Sequence, residues 1–174
     1  METPSVARIA LKWGLISGVI SIVYGVLMIA IDKYQDPSMN TFNFVFGIAV
    51  AIGVLIAALR EYRTLNGGYM SFGQGLGVGV LASAVAGVAS GLFNFVYMQF
   101  IDPTVSEKMM DRVRDEWERN GMSDAQMEQA EQFTSMMMRP GMLFVIGVFF
   151  AVLAGVILSL ILAAILRREK PVFE

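Results

Sequence analysis

GMLFVIGVFFAVLAGVILSLILAAIL, residues Gly141–Leu166, contains no charged side chain from end to end. As an α-helix rising ~1.5 Å per residue it extends about 39 Å. The hydrocarbon core of a bilayer is ~30 Å thick, so this stretch is long enough to cross it with tilt. Three more uncharged apolar runs precede it, Trp13–Ile31, Phe42–Leu59 and Leu76–Ile101. The shortest of the four extends about 27 Å as a helix. In hydrocarbon every backbone N–H and C=O must bond within the chain, which leaves helices or closed barrels, and uninterrupted apolar runs of this length select helices. The expected fold class is therefore an all-α integral membrane protein with four transmembrane helices.

Composition agrees. The 174 residues are 56% hydrophobic and 16% charged, with a mean hydropathy of +0.61. A soluble domain carries about 25% charge, and here the deficit lies within the four runs. There is no cysteine and no histidine. That removes disulfides, thiol redox chemistry, His-ligated haem, Cys/His zinc sites and Ser-His-Asp or Cys-His hydrolases. Net charge is −2 with a pI near 5.2. No Lys/Arg cluster is dense enough to neutralise a run of phosphates, so nucleic acid is not an expected partner. The first run is longer than a signal-peptide core and closes on Ile29-Ala30-Ile31-Asp32-Lys33 without a small-residue cleavage site, so it is expected to be a retained span.

Basic residues set the expected orientation. Arg8, Lys12, Arg60, Arg63, Arg167, Arg168 and Lys170 fall on one side of four crossings. Lys33, Lys108, Arg112, Arg114, Arg119 and Arg139 fall on the other. The first group is denser and abuts the span ends, which places both termini in the cytoplasm. Asp102–Pro140 is then an extramembrane α-hairpin between helices 3 and 4. Its first helix starts with Asp102 capping and Pro103 at the first position, or with Thr104 capping and Glu107 closing a capping box. Val105, Met109, Val113 and Trp117 recur every four residues on one face. Arg114–Glu118 and Asp115–Arg119 are potential i,i+4 pairs, and Asn120-Gly121 is the stop. Ser123 with Gln126 opens the second helix, with Met122 and Met127 as staple. Met127, Ala130, Thr134 and Met137 form its less polar face, and Arg139-Pro140 ends it. The hairpin stripes Val105, Met109, Val113, Trp117, Met127 and Met137 are the candidate partner-binding residues.

Within the spans, small residues recur four apart: Gly14 and Gly18; Ser83, Gly87 and Gly91; Ala151, Gly155 and Ser159. Lipid gives no hydrophobic drive between helices, so such residues allow the close backbone approach that holds them together. With Asn94, the deepest amide, they are the helix-packing candidates; packing within one bundle is the first expectation and homo-oligomerisation the second. Gly73–Gly79 is glycine-dense, but Val78 and Val80 occupy the register where a dinucleotide loop needs its third glycine, so tight packing is expected there. No carboxylate lies inside the runs to couple to a proton. The methionines of Met109–Met142 lack any Cys or His to anchor Cu(I) and read as an adaptable apolar surface. The acidic side of the hairpin lacks EF-hand spacing. No cofactor and no catalytic or metal-ligating set is expected.

The stretch Arg60-Glu61-Tyr62-Arg63, then Asn66-Gly67-Gly68-Tyr69-Met70-Ser71-Phe72-Gly73-Gln74-Gly75, then a long span closing on Tyr97-Met98-Gln99-Phe100-Ile101-Asp102-Pro103, resembles the domain-of-unknown-function 4199 family. The resemblance implies a small bacterial inner-membrane protein with four spans and an extramembrane helical segment before the last. It brings no activity and no catalytic residues. The expected function is non-enzymatic: a structural or accessory protein that sits in the lipid bilayer and binds membrane partners, in a larger complex or as a homo-oligomer. The alternative is a small oligomeric channel or transporter, with Asn94, Ser83 and Ser90 lining a path.

Overall fold

Six α-helices make up the computed structural model, which describes residues 5–170 apart from positions 32 and 35. They are α1 (Val6–Ala30), α2 (Asn40–Leu65), α3 (Phe72–Val96), α4 (Val105–Arg119), α5 (Asp124–Met137) and α6 (Pro140–Leu166). Among the described residues the β pairing amounts to one antiparallel bridge, Met70 with Arg168. Asp32, which closes the first apolar run in the sequence, lies outside the described residues.

The four apolar runs become α1, α2 with its preceding turn, α3 with its following turn, and α6, each long and apolar enough to cross a membrane. Only 11% to 22% of the most apolar window of each is buried inside the protein. The rest exposes side chains such as Leu15, Val19, Phe44, Leu92, Phe149 and Ile161, which water would not tolerate and lipid does. This is a multi-pass membrane protein.

Helix limits differ from the apolar runs for local reasons. Ser5 accepts a hydrogen bond from the Arg8 N–H at 3.4 Å and starts α1 well before Trp13. Asp36 accepts from the Ser38 N–H at 2.9 Å and starts a 3₁₀ turn, Pro37–Met39, that leads into α2. α2 continues through the charged Arg60, Glu61 and Arg63 to Leu65. The third run leaves α geometry at its end: Tyr97–Ile101 is one π-helical turn, with the Asp102 N–H donating to the Tyr97 carbonyl at 2.9 Å.

The chain divides into two compact units, residues 1–90 with 148–174, and residues 91–147. In the first, Ile9, Ala58, Leu59, Tyr62, Met70 and Val78 form the larger core cluster, flanked by Val6, Trp13, Leu162 and Leu166. A smaller cluster joins Ala10, Leu55 and Ala82. In the second unit, α4 and α5 are joined by the turn at Gly121, whose φ of 74° no L side chain adopts readily. Arg114 of α4 pairs with Glu131 of α5, and Val105 and Met110 are buried.

Two expectations for this hairpin are corrected. Asp102 and Thr104 do not make a helix cap by side chain. Asp102 instead accepts from the Thr104 N–H at 3.1 Å and from its hydroxyl at 2.5 Å, a turn that sets the start of α4 at Val105. The i,i+4 pairs also give way. Arg114 turns to Asp111 at 3.2 Å and to Glu131 on the neighbouring helix, while Arg119 donates to the Asp115 carbonyl at 3.0 Å. A doubly engaged guanidinium between helices outweighs one solvated pair along a helix. The capping box at Ser123 and Gln126 is present, with the Ser123 N–H donating to Gln126 Oε1 at 3.0 Å.

Candidate functional site

In the first unit the end of α2, the turn that follows it and the start of α3 form a clasp. Glu61, on the last turns of α2, accepts from Lys12 Nζ at 2.8 and 2.9 Å and from Trp13 Nε1 at 2.7 Å. One carboxylate thus ties α1 to α2. Tyr62, the next residue, is 2% exposed in the larger core cluster. Arg63 donates to the Leu166 carbonyl at 3.3 Å, meeting one of the C-terminal carbonyls that α6 leaves without a helical partner.

Gly67 and Gly68 then turn the chain with φ of 69° and 87°. Asn66 Nδ2 donates to the Tyr69 carbonyl at 2.9 Å. Met70 is fully buried, and its backbone exchanges hydrogen bonds with Arg168 at 2.8 and 2.9 Å. Arg168 and Lys170 each hold their charge 5.9 Å from the centre of the Tyr69 ring. Ser71 and Gln74 cap α3 reciprocally, at 2.9 and 3.2 Å.

Above the clasp, α3 and α6 run antiparallel along a row of small residues. A methyl built on Gly75 would lie 2.9 Å from Ala163 Cβ, and one on Gly87 would lie 2.7 Å from Ala151 Cβ. Between these rungs Gly79 meets Ser159, and Gly155 meets Ser83, still more closely. The register is constant, four residues forward on α3 for four back on α6. α1 packs parallel to α3 by the same device: a methyl on Gly14 would lie 2.6 Å from the Ala82 carbonyl oxygen, and one on Gly18 would lie 2.6 Å from Ala89 Cβ. Gly91 is half-buried, and a methyl on Gly147 would meet nothing within 4 Å.

Ser159 is fully buried and its hydroxyl has no conventional hydrogen-bond partner. It points at the Gly79 backbone, where the contact available to it is a weak C–H···O interaction. A cavity of about 140 Å³ lies among Ser17, Leu55, Ser83, Ala86, Ala154 and Leu158. Its lining is small and apolar apart from the two serines. Elsewhere in α1 and α2, Tyr24 donates to Asn43 Oδ1 at 2.5 Å and stacks on Phe46 at 4.1 Å. Asn94 is half-buried.

The hairpin stripes are covered to differing extents. Val105 is 1% exposed, whereas Met109, Val113, Trp117, Met127 and Met137 are half-buried. The large apolar side chains that α5 leaves open are Phe133, 66% exposed, and Met136, 43% exposed. Neither belongs to the stripe read from the sequence. The Arg114 guanidinium holds the Glu131 carboxyl below its ordinary range, and Glu131 in turn raises Arg114. Asp102 is lowered likewise, first by the Thr104 hydroxyl.

With this geometry in view, the comparison with known families is decisive for kinship. The family model described as "Protein of unknown function (DUF4199)" matches residues 12–168. The chain belongs to the DUF4199 family. No curated protein and no solved structure matches it. In this DUF4199 chain the residues that carry the resemblance have structural work. Glu61, Arg63, Asn66, Met70, Ser71 and Gln74 all close the clasp. Gly75 makes the first rung against α6.

Proposed function

We propose that this chain is a non-enzymatic accessory protein of the bacterial inner membrane, which binds a membrane partner through its α4–α5 hairpin. The observation that carries this reading is the exposure of Phe133 and Met136 on a hairpin otherwise covered with charge. Large apolar side chains next to one another on a polar helix are the mark of a contact surface. Glu61, Arg63, Ser71 and Gln74 of the clasp are engaged in tying helices together or capping them, which supports a role without catalysis.

Orientation follows from the basic residues. The cations at the α2 and α6 ends favour the cytoplasm, and four crossings put the hairpin on the outer side. Its charge density supports a place outside the hydrocarbon. A channel or transporter role has less to support it: the cavity among α1, α2, α3 and α6 is small, and its lining is mainly apolar.

Purification of the full chain in mild detergent tests the proposal. Wild type should retain a defined set of membrane proteins that the double variant Phe133→Asp/Met136→Asp loses while remaining folded, since both side chains are already open to solvent. An unchanged set of co-purifying proteins would rule out this face as the contact.

A further inference from the structure

The clasp gathers cations from two separate segments at the end of the first unit. Arg60 and Arg63 come from the last turns of α2; Arg167, Arg168 and Lys170 come from the residues that follow α6. The Arg63 bond to the Leu166 carbonyl and the Met70–Arg168 bridge lock these segments together. The Tyr69 ring has the Arg168 and Lys170 charges each 5.9 Å from its centre. Arg60, Arg167, Arg168 and Lys170 are exposed, and none of the five cations makes an ion pair among the described residues. The neighbouring acids do little to neutralise them. Glu61 is committed to Lys12 and Trp13, which leaves the exposed Glu169.

Height in the membrane identifies the counter-charge. Arg60 is the first charged residue after the apolar run Phe42–Leu59, and Arg167 is the first after Gly141–Leu166. Both therefore lie where a span leaves hydrocarbon, at the level of lipid phosphates. A tyrosine ring beside two cations is suited to that boundary, with an apolar body and a polar tip. Guanidinium groups hold phosphate in a bidentate manner, and Arg63 retains donors beyond the one given to Leu166. We propose that Arg60, Arg63, Tyr69, Arg167, Arg168 and Lys170 form a binding site for the phosphate headgroup of an anionic phospholipid.

The test uses the purified full chain in detergent. Its melting temperature is followed as phosphatidylglycerol, phosphatidylcholine or inorganic phosphate is added, at low and high salt. Phosphatidylglycerol should raise it by several degrees, less so at high salt; phosphatidylcholine and inorganic phosphate should leave it unchanged. The triple variant Arg60→Gln/Arg167→Gln/Lys170→Gln leaves Arg63 and Arg168 in the clasp. It should bind phosphatidylglycerol about 100-fold more weakly. An equal shift with phosphatidylcholine, a shift reproduced by inorganic phosphate, or an unchanged response in the triple variant would each overturn the site. Should the variant fail to fold, the wild-type comparison of lipids and salt still decides.

Discussion

Ser159 of α6 rests against the backbone of Gly79 on α3 so closely that a methyl group on Gly79 would overlap its hydroxyl. Rotating the hydroxyl does not relieve this, because Ser159 Cβ would still lie 2.7 Å from the added carbon. With the Gly155–Ser83 rung it is one of the two closest of the four α3–α6 rungs, and it shows how the spans hold together where lipid offers no hydrophobic gain. Gly79→Ala should therefore lower stability by about 1–3 kcal/mol, as overpacking does. Gly53→Ala is the control, because nothing lies within 4 Å of a methyl there. It should be neutral or stabilising by up to ~1 kcal/mol, from helix propensity alone. Thermal unfolding in detergent measures both, and adding Ser159→Gly to Gly79→Ala should recover part of the loss. Equal melting temperatures for the two alanine variants would refute close packing at this rung.

Glu61 separates charge from hydrogen bonding. Its Lys12 pair is half-open to solvent, with side-chain exposures of 51% and 26%. Glu61→Gln keeps an acceptor for Trp13 Nε1 and should cost less than about 1 kcal/mol, a difference that shrinks with salt. Glu61→Leu leaves the Trp13 N–H without its acceptor and should cost ~1–3 kcal/mol at any salt concentration. Melting temperatures of the two variants across a salt series check this; indistinguishable variants would deny the Trp13 bond its role.

The hairpin should be sensitive to acid. Glu131 has its carboxyl held below the ordinary value of 4.5 by Arg114. A lowered acid contributes stability that is complete above the unfolded value and fades as pH falls through the folded one. Asp102 is lowered too, first by the Thr104 hydroxyl. Protection of the α4 and α5 amides from hydrogen exchange should therefore hold from neutral pH down to about 4.5 and decline below it. In Glu131→Gln it should be lower already at neutral pH and change less with acid. A Glu131→Gln hairpin with wild-type protection and wild-type acid response would show that the interhelical pair contributes nothing.

What could be read from the sequence tracks how local the physics is. Four uncharged runs admit one structural solution in a bilayer, so the spans were plain. The spacing of Gly14, Gly18, Ser83, Gly87, Gly155 and Ser159 marked contact surfaces, but not that Gly79 faces Ser159. Small residues four apart look alike in every register, and only assembly selects one. The i,i+4 spacing pairs Arg114 within its own helix and carries no information about Glu131 across the turn. The Ser71–Gln74 box has the same spacing as Ser123–Gln126 and is legible on that pattern. Phe133 escaped because it lies off the apolar stripe. An aromatic residue on the polar side of an amphipathic helix is itself the signal.

In the proposed topology four crossings put the α4–α5 hairpin on the extracytoplasmic side and the clasp on the cytoplasmic side. The chain contains no cysteine, so single cysteines can report their own side. In intact spheroplasts a membrane-impermeant maleimide should label Ser123→Cys at once and label Glu169→Cys only after the membrane is permeabilised. Labelling of Glu169→Cys in intact spheroplasts, or protection of Ser123→Cys, would contradict the account.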